Sequence, residues 1–526
     1  MTAELRHGTW WESKQGIDPE QLMQGRFSRL FDPHDAEPAV FETADLEKLA
    51  VAMTAEAEGD PTPEDQPDTE ENTGIPAAYT YLGQFIDHDL TLDPTSHLRQ
   101  VITDLDKLVD FRTPRFDLDS LYGRGPSEQP YLYDRDSIFL LLGRPLSGNP
   151  FDPDTHDLQR GPNGRALIGD PRNDENRIVA QLHATLIRFH NRMVELMPGE
   201  PFEAVRDQVR WHYQWVVLND FLPTIINSST INEVFPHLDA GCSLDERPPQ
   251  FRIAALQAMA HPTGAMFMPV EFSVAAYRFG HSMIRPLYRI NPTIERRPIF
   301  SGATDPSADL GGMRPIPDDW GIDWQSFLDL GGGDAEVVRR DGSDPTHRRP
   351  QLSYKIDTSL VNPLSNLPPV IARNPPSLPA RNLLRGNDFR LPSGQTVART
   401  LDLKPLDDEN LHIGKAVVGD QSRRPITAIS NGFAGNAPLW TYVLAEAHAN
   451  SWAHAAAPVT DATPVRLGQV GGHLVAEVFA ALLLADRTSF PNANAAFAPR
   501  PEVRQDGQFG LADLIKAALA AEPRTG

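Results

Sequence analysis

Cysteine is nearly absent from this sequence. With Cys242 alone, no disulfide can close within the chain, and a thiolate zinc site or a cysteine-ligated iron–sulfur cluster is excluded. Basic charge is also scarce: 48 Lys and Arg stand against 71 Asp and Glu, a formal net charge of −23. Such a surface repels phosphate backbones and anionic lipid, so neither is an expected partner. Long apolar runs are missing too. The longest, residues 474–485, is interrupted by Glu477 and falls short of the roughly 20 residues of a membrane span. The N-terminal MTAELRHGTWWESKQG has no apolar h-region, so a conventional signal peptide is not expected. No Walker phosphate loop, no G-x-G-x-x-G after a strand, no H-E-x-x-H and no G-x-S-x-G elbow occurs. Nucleotide hydrolysis, Rossmann redox chemistry, zincin proteolysis and the usual serine hydrolases are disfavoured accordingly.

What is present is a chain of 526 residues with ordinary apolar content, 40%, able to bury a large core. Length alone suggests about three domains, which is a soft guide. Proline is abundant, 48 residues, which favours long ordered connections over a regular repeat. The first 50 residues read as a weakly structured lead-in. Residues 56–72 carry eight acids, three prolines and no base, the composition of a solvated loop. Further on the helical period dominates. Ile178, Leu182, Leu186, Phe189 and Met193 form a stripe at spacings of three and four. Residues 205–222, 272–283, 439–451 and 470–484 also read as helices. Gly331, Gly332 and Gly333 lie in an acidic context and read as a turn. Residues 362–393 form a proline-rich connection that crosses the surface or wraps a core. The expected class is mainly α, with residues 1–75 as an extension and 76–526 as one large domain.

Four segments carry chemistry. In YLGQFIDHDLT, helical spacing puts Gln84, Asp87 and His88 on one face. A histidine beside two carboxylates can be a metal ligand, a general acid/base or a surface cluster, and taken alone the segment favours the surface cluster. In GDPRNDENRIVAQLHATLIRFHNRM, Arg172 and Glu175 share a face at a helix start that Asp170 can cap. The plain alternative is an ion pair, and His183 and His190 read as structural. In AAYRFGHSMIRPLYRIN, Arg278, His281 and Arg285 follow helical spacing up to Pro286, and Gly280 leaves room for a flat ligand. In LPARNLLRGNDFRLPSGQ, Asn382 and Arg385 share a face, and an asparagine there can accept a hydrogen bond from a ligating imidazole.

Together these segments resemble the animal-type haem peroxidase superfamily. G-Q-F-I-D-H-D-L-T, G-D-x-R-x-x-E followed by L-H-x-x-x-x-R-x-H-N, and R-F-G-H occur in the family's order, and the resemblance runs over residues 80–486. It implies a large helical catalytic domain holding a haem b derivative. His88 then corresponds to the distal acid/base, Arg172 to the distal arginine, and Gln84 to the glutamine that positions water or halide. His281 corresponds to the proximal iron ligand, with Asn382 on its other nitrogen and Arg278 and Arg385 as partners of the propionates or of that network. Asp87 and Glu175 match the carboxylates that form ester bonds to haem. Some members add a sulfonium bond from a methionine after that glutamate; Asn176 stands here, so that bond is impossible. The family also binds Ca2+, for which Asp89, Thr113, the Arg115 carbonyl, Asp117 and Asp119 are the matching ligands. Asp119 replaces a serine of the vertebrate enzymes and remains an oxygen donor suited to a hard cation.

The activity so implied is reduction of hydrogen peroxide with oxidation of halide, thiocyanate or a small aromatic donor. A cyclooxygenase-like fatty-acid dioxygenase is the alternative, since such enzymes share the scaffold. Their radical tyrosine lies three residues before the proximal histidine, where this chain has Arg278. Tyr277 is one residue off, about 100° around an α-helix. A third reading, a binding protein that has lost catalysis, conflicts with the intact Gln84, His88, Arg172 and His281. Missing disulfides and signal peptide suggest a bacterial-type member, cytoplasmic or exported by an unconventional route.

Overall fold

A computed structural model describes residues 25–57, 68–92, 102, 105, 108–261, 263–294, 296–301, 308–331, 349–455, 457–505 and 507–525. Most of the acidic loop, the first 24 residues, Gly332 and Gly333 lie outside the described residues.

The longer helices are α1 Thr43–Ala52, α2 Ala78–Leu90, α3 Arg177–Leu196, α4 Phe202–Val216, α5 Leu378–Asp388, α6 Leu439–Ala453, α7 Gln469–Ala485 and α8 Leu511–Leu519. Strands contribute only two-stranded ladders: β1 Phe27–Ser28 with β3 Met268–Pro269, β2 Glu71–Pro76 with β6 Leu352–Tyr354, β4 Leu287–Tyr288 with β5 Arg297–Pro298, and β7 His412–Ile413 with β8 Arg424–Pro425. The fold is mainly α, as the periodicity predicts.

The stripe on α3 goes fully inside: Ile178, Leu182, Leu186, Phe189 and Met193 are all buried. Asn176 starts this helix, its Oδ1 accepting from the backbone N–H of Ile178 and Val179 at 3.1 and 2.9 Å. α2 packs beside α3, and α8 closes its other side. α6 and α7 pair within the core. An 18-residue window within residues 469–493 has a mean hydropathy of 1.3, apolar enough for a membrane span, yet 83% of that window is buried inside the protein. Its apolarity belongs to the core.

Two local expectations are corrected. The lead-in is not weakly structured after residue 42: α1 buries Leu46 and Leu49 and packs against α5. Residues 272–283 do not form one helix. A short α-helix, Val270–Val274, breaks at Ala275 (φ −131°, ψ −70°) and a 3-10 helix, Ala276–His281, follows. Arg285 therefore leaves the face shared by Arg278 and His281. It pairs instead with buried Glu71, Nη1 to Oε1 at 2.9 Å, and Arg349 holds the other Glu71 oxygen at 2.8 Å.

Candidate active site

One face of α2 opens onto a cavity of about 370 Å3. Thr80, Gly83, Gln84, Asp87 and His88 line it, while Leu82, Phe85 and Ile86 anchor the opposite face in the core. The far walls bring Arg172 and Glu175 from before α3, Arg278 and His281 from the 3-10 helix, and Arg385 from α5. Of the candidate residues, Gln84, Asp87, His88, Arg172, Glu175, Arg278, His281 and Arg385 line the cavity, Asn382 sits just behind its wall, and Arg285 lies elsewhere.

His88 is buried, and its Nδ1 meets Asn173 Oδ1 at 2.8 Å. An amide oxygen only accepts, so Nδ1 carries the proton and Nε2 keeps its lone pair. Burial, with Arg172 beside it, pushes the imidazole down to about 3, so it is the neutral base at ordinary pH. Asn173 Nδ2 in turn faces Nδ1 of buried His183 at 3.1 Å. His183, expected to be merely structural, thus stands behind the His88 orienter. His190 is structural as expected, bridging Tyr122 and the Ile138 carbonyl.

Arg172 does not pair with Glu175. Asp170 caps its turn, accepting from the Arg172 N–H at 2.8 Å, and takes the guanidinium Nη2 at 2.7 Å. The same Nη2 donates to the His88 and Thr91 carbonyls. Burial works against ionising Asp170, but Arg172 and Arg112 hold it down at about 2. Glu175 instead lies 3.9 Å from His88 Nε2, its carboxyl raised to about 7 by burial. Asp87 is raised by burial as well, against the pull of Arg172 and Arg278. Asn176 has a second role beyond capping: its Nδ2 donates to Gln84 Oε1 at 2.9 Å, so the Gln84 amide nitrogen is left for the cavity.

On the other wall, His281 Nδ1 meets Asn382 Nδ2 at 2.8 Å, and Arg278 Nη1 donates to Asn382 Oδ1 at 2.7 Å. Arg278 also donates to the Ser273 carbonyl, so its hydrogen bonds reach only neutral oxygens. Burial and neighbouring Arg385 depress it to about 10, the state of a buried cation that calls for an anion. Burial likewise takes His281 down to about 3. Two neutral histidines therefore line one cavity, each with Nδ1 on an asparagine and Nε2 remaining. Arg385 lies 4.7 Å over the Phe389 ring.

Behind α2, Asp89, Asp117 and Asp119 bring carboxylate oxygens within 4.8 Å of one another. Thr113 Oγ1 donates to Asp117 at 2.6 Å, and Asp89 accepts from Leu118 N–H and Ser120 Oγ, both at 3.2 Å. Burial and the neighbouring acids push Asp89 well up and Asp119 to about 7, as crowded like charges do. The Arg115 side chain points elsewhere, 3.9 Å from Asp486. Arg112 spans from Asp119 (3.2 Å) to Asp170 (2.9 Å), and so ties this cluster to Arg172.

Tyr277 is the residue the sequence reading set aside and the structure restores. The segment is 3-10 rather than α, and Tyr277 lines the cavity with its hydroxyl buried. Asp170 was legible as the cap of this turn, but its hold on the Arg172 guanidinium, like the roles of Asn173 and Asn176 as orienters, had no mark in the spacing.

These helices make a mainly α fold whose cavity lies between two histidine-bearing walls. The family model for the animal haem peroxidase matches residues 105–408, and the chain belongs to that family. Family membership makes it a haem oxidoreductase. The matched range begins after α2, so Gln84, Asp87 and His88 lie outside it. Among solved structures, peroxidase A from Dictyostelium discoideum is similar at 17% identity and a TM-score of 0.52, over 94% of this chain and 93% of that one. A fatty acid alpha-dioxygenase from Oryza sativa is similar at 16% identity and TM-score 0.52, over 96% of this chain and 84% of that one. The Arabidopsis thaliana fatty acid alpha-dioxygenase gives 14% and 0.52, over 93% and 75%. A search of curated proteins gives no match.

Proposed function

We propose that the protein is a haem peroxidase that reduces hydrogen peroxide and oxidises a halide, thiocyanate or a small aromatic donor. One observation carries this reading: His88 is held as a neutral Nε2 base by Asn173, beside a cation fixed by Asp170. The donor set fits haem. His281 would hold the iron through Nε2, and Arg278 and Arg385 would meet the propionates. Ligation at Nε2 would place the His281 proton on Nδ1, the nitrogen that faces the Asn382 amide nitrogen while Arg278 holds the amide oxygen. Haem supplies the redox chemistry when bound. His88 accepts the first peroxide proton at Nε2 and returns it to the departing oxygen. Arg172 stabilises the charge that grows on that oxygen. Gln84, its oxygen taken by Asn176, offers an N–H to water or halide. Steady-state rates with bromide, iodide, thiocyanate, chloride and a phenol test the assignment.

The second reading, a haem fatty-acid dioxygenase, has Tyr277 in its favour, a buried hydroxyl in the cavity wall. Against it, the position three before His281 is Arg278, which is committed to Asn382. Oxygen uptake with arachidonate and no peroxide would decide for it.

Asp89, Thr113, the Arg115 carbonyl, Asp117 and Asp119 are proposed to hold Ca2+, whose charge relieves the crowded carboxylates. The ion then braces the distal side twice, through Asp89 next to His88 and through Arg112 to Asp170. A chelator is expected to lower the melting temperature and to disturb the Soret band together. Metal analysis that finds no calcium in active enzyme rules the site out.

Asp87 and Glu175 both face the cavity, their carboxyls raised by burial, at positions suited to ester bonds with haem methyl groups. After peroxide treatment, haem should resist acid–organic extraction, while Asp87→Val with Glu175→Gln should release all of it. Complete extraction of unmodified haem from treated wild type removes the ester assignment and leaves the peroxidase reading intact.

A further inference from the structure

The amide that orients His88 is itself shared. Asn173 is fully buried, and its two ends face two histidines: Oδ1 meets His88 Nδ1 at 2.8 Å, and Nδ2 faces His183 Nδ1 at 3.1 Å. An amide oxygen only accepts and an amide nitrogen only donates, so each end dictates the tautomer of the ring it meets. Turned end for end, the same side chain would fill the same space, donate to His88 and accept from His183. His88 would then carry its proton on Nε2 and could not take one from peroxide. Shape does not choose between the two orientations; the group at the far end of the amide does.

His183 is that group, and its surroundings give it little else to do. It lies on α3 outside the cavity lining, beside the buried Leu182 and Leu186, with the Phe85 ring of α2 packed against it at 5.9 Å. Its Nε2 is buried without a hydrogen-bond partner. Two other buried imidazoles use both nitrogens. His190 bonds Tyr122 and the Ile138 carbonyl, and His212 bonds the Gln208 carbonyl and the Arg500 N–H. An unsatisfied ring nitrogen is unfavourable inside a core, and an apolar side chain would avoid the penalty. What a histidine adds at this position is one lone pair aimed at Asn173. Burial, opposed by Asp170, takes its affinity for a proton down to about 3, so the ring is neutral and Nδ1 keeps that lone pair.

We propose that His183 is a positioning residue of the peroxide step: it takes the Asn173 Nδ2 hydrogen, holds the amide oxygen on His88, and so keeps His88 Nε2 free to accept. The assignment rests on the peroxidase reading and deepens it. His183 and Asn173 exchange no proton themselves; the proton that moves is taken up and returned at His88 Nε2 alone.

The test uses haem-loaded enzyme, with His183→Leu and Asn173→Ala made singly and together, and His183→Gln beside them. Haem content and circular dichroism check folding, and stopped-flow absorbance reads the reaction with peroxide. His183→Leu frees the amide to turn and should slow this step by about 3-fold, the lower range of one neutral hydrogen bond. His183→Gln offers an amide oxygen in the same place and should recover most of that rate. In the Asn173→Ala background, His183→Leu should slow the step no further, because its effect passes through the amide. An equal loss in both backgrounds makes His183 a packing residue and overturns the proposal, as does a wild-type rate in His183→Leu. If the leucine variant does not fold, 15N NMR of histidine-labelled wild type in its diamagnetic ferrous carbonyl form decides. His183 should carry its proton on Nε2 and His88 on Nδ1, and the reverse pair overturns the assignment. A wild type that shows these tautomers but does not react with peroxide ends the peroxidase reading and leaves the His183–Asn173–His88 relay in place.

Discussion

His281→Ala is expected to yield a folded protein that retains almost no haem, or a residual haem lacking the spectral signature of a proximal imidazole. The argument starts from the neighbours. His281 is the one imidazole on its wall, its Nδ1 already faces Asn382, and Asn382 is itself gripped by Arg278. Among the described cavity residues, Nε2 of His281 and Nε2 of His88 are the two imidazole nitrogens left over. His88 has a carboxylate 3.9 Å from its Nε2 and a backbone clamp from Arg172, an arrangement made for a proton rather than for a metal. Removing His281 therefore removes the ligand with no substitute of comparable basicity. The propionate partners Arg278 and Arg385 remain, so weak binding of a five-coordinate haem is the most that should persist. Haem content by pyridine haemochrome, the Soret position and the EPR spectrum check this, with circular dichroism as the control for folding. Near-normal haem content with unchanged spectra would take His281 out of the role.

How much of this was legible beforehand differs from one wall to the other. The distal wall lies on α2, a regular helix, and there a spacing of three and four placed Gln84, Asp87 and His88 together, as the structure also does. The partners of Arg172 were harder. A conformation wound into a 3-10 turn, Pro171–Asp174, sends Arg172 to Asp170 and leaves Glu175 to face His88. The proximal wall misled because its helix breaks at Ala275, and a 3-10 segment does not follow α-helical angles. Hence Tyr277 enters the cavity and Arg285 leaves for Glu71, a residue 214 positions away in sequence. Contacts of that kind are set by tertiary packing, and no local pattern announces them. Asn382 lies behind His281 as the resemblance implies, but it turns its amide nitrogen to Nδ1 and gives its oxygen to Arg278, where an acceptor for the imidazole is expected.

His88→Ala is expected to keep its haem and to slow the reaction with peroxide by about 10²–10⁴-fold, the usual worth of one positioned general acid/base. The loss should be confined to this step. His88 is buried, its proton sits on Nδ1 against Asn173, and its depressed affinity for a further proton keeps Nε2 unprotonated across the working pH range. It therefore meets each incoming peroxide as a base and not as a cation. Arg172→Ala should cost a similar order, about 10²–10³-fold, by removing the fixed charge near the breaking bond. Asn173→Ala gives the graded case. The imidazole remains, but the hydrogen bond that selects its tautomer is gone, and a bond of that strength shifts the two forms by about 3–10-fold. The peroxide step should slow by that smaller factor, with haem content and proximal spectra unchanged. Stopped-flow absorbance at the Soret band, with peroxide in excess and no donor, reads all three rates directly. A His88→Ala enzyme that reacts with peroxide at the wild-type rate ends the assignment, and an Asn173→Ala enzyme as slow as His88→Ala shows that Asn173 does more than choose a tautomer.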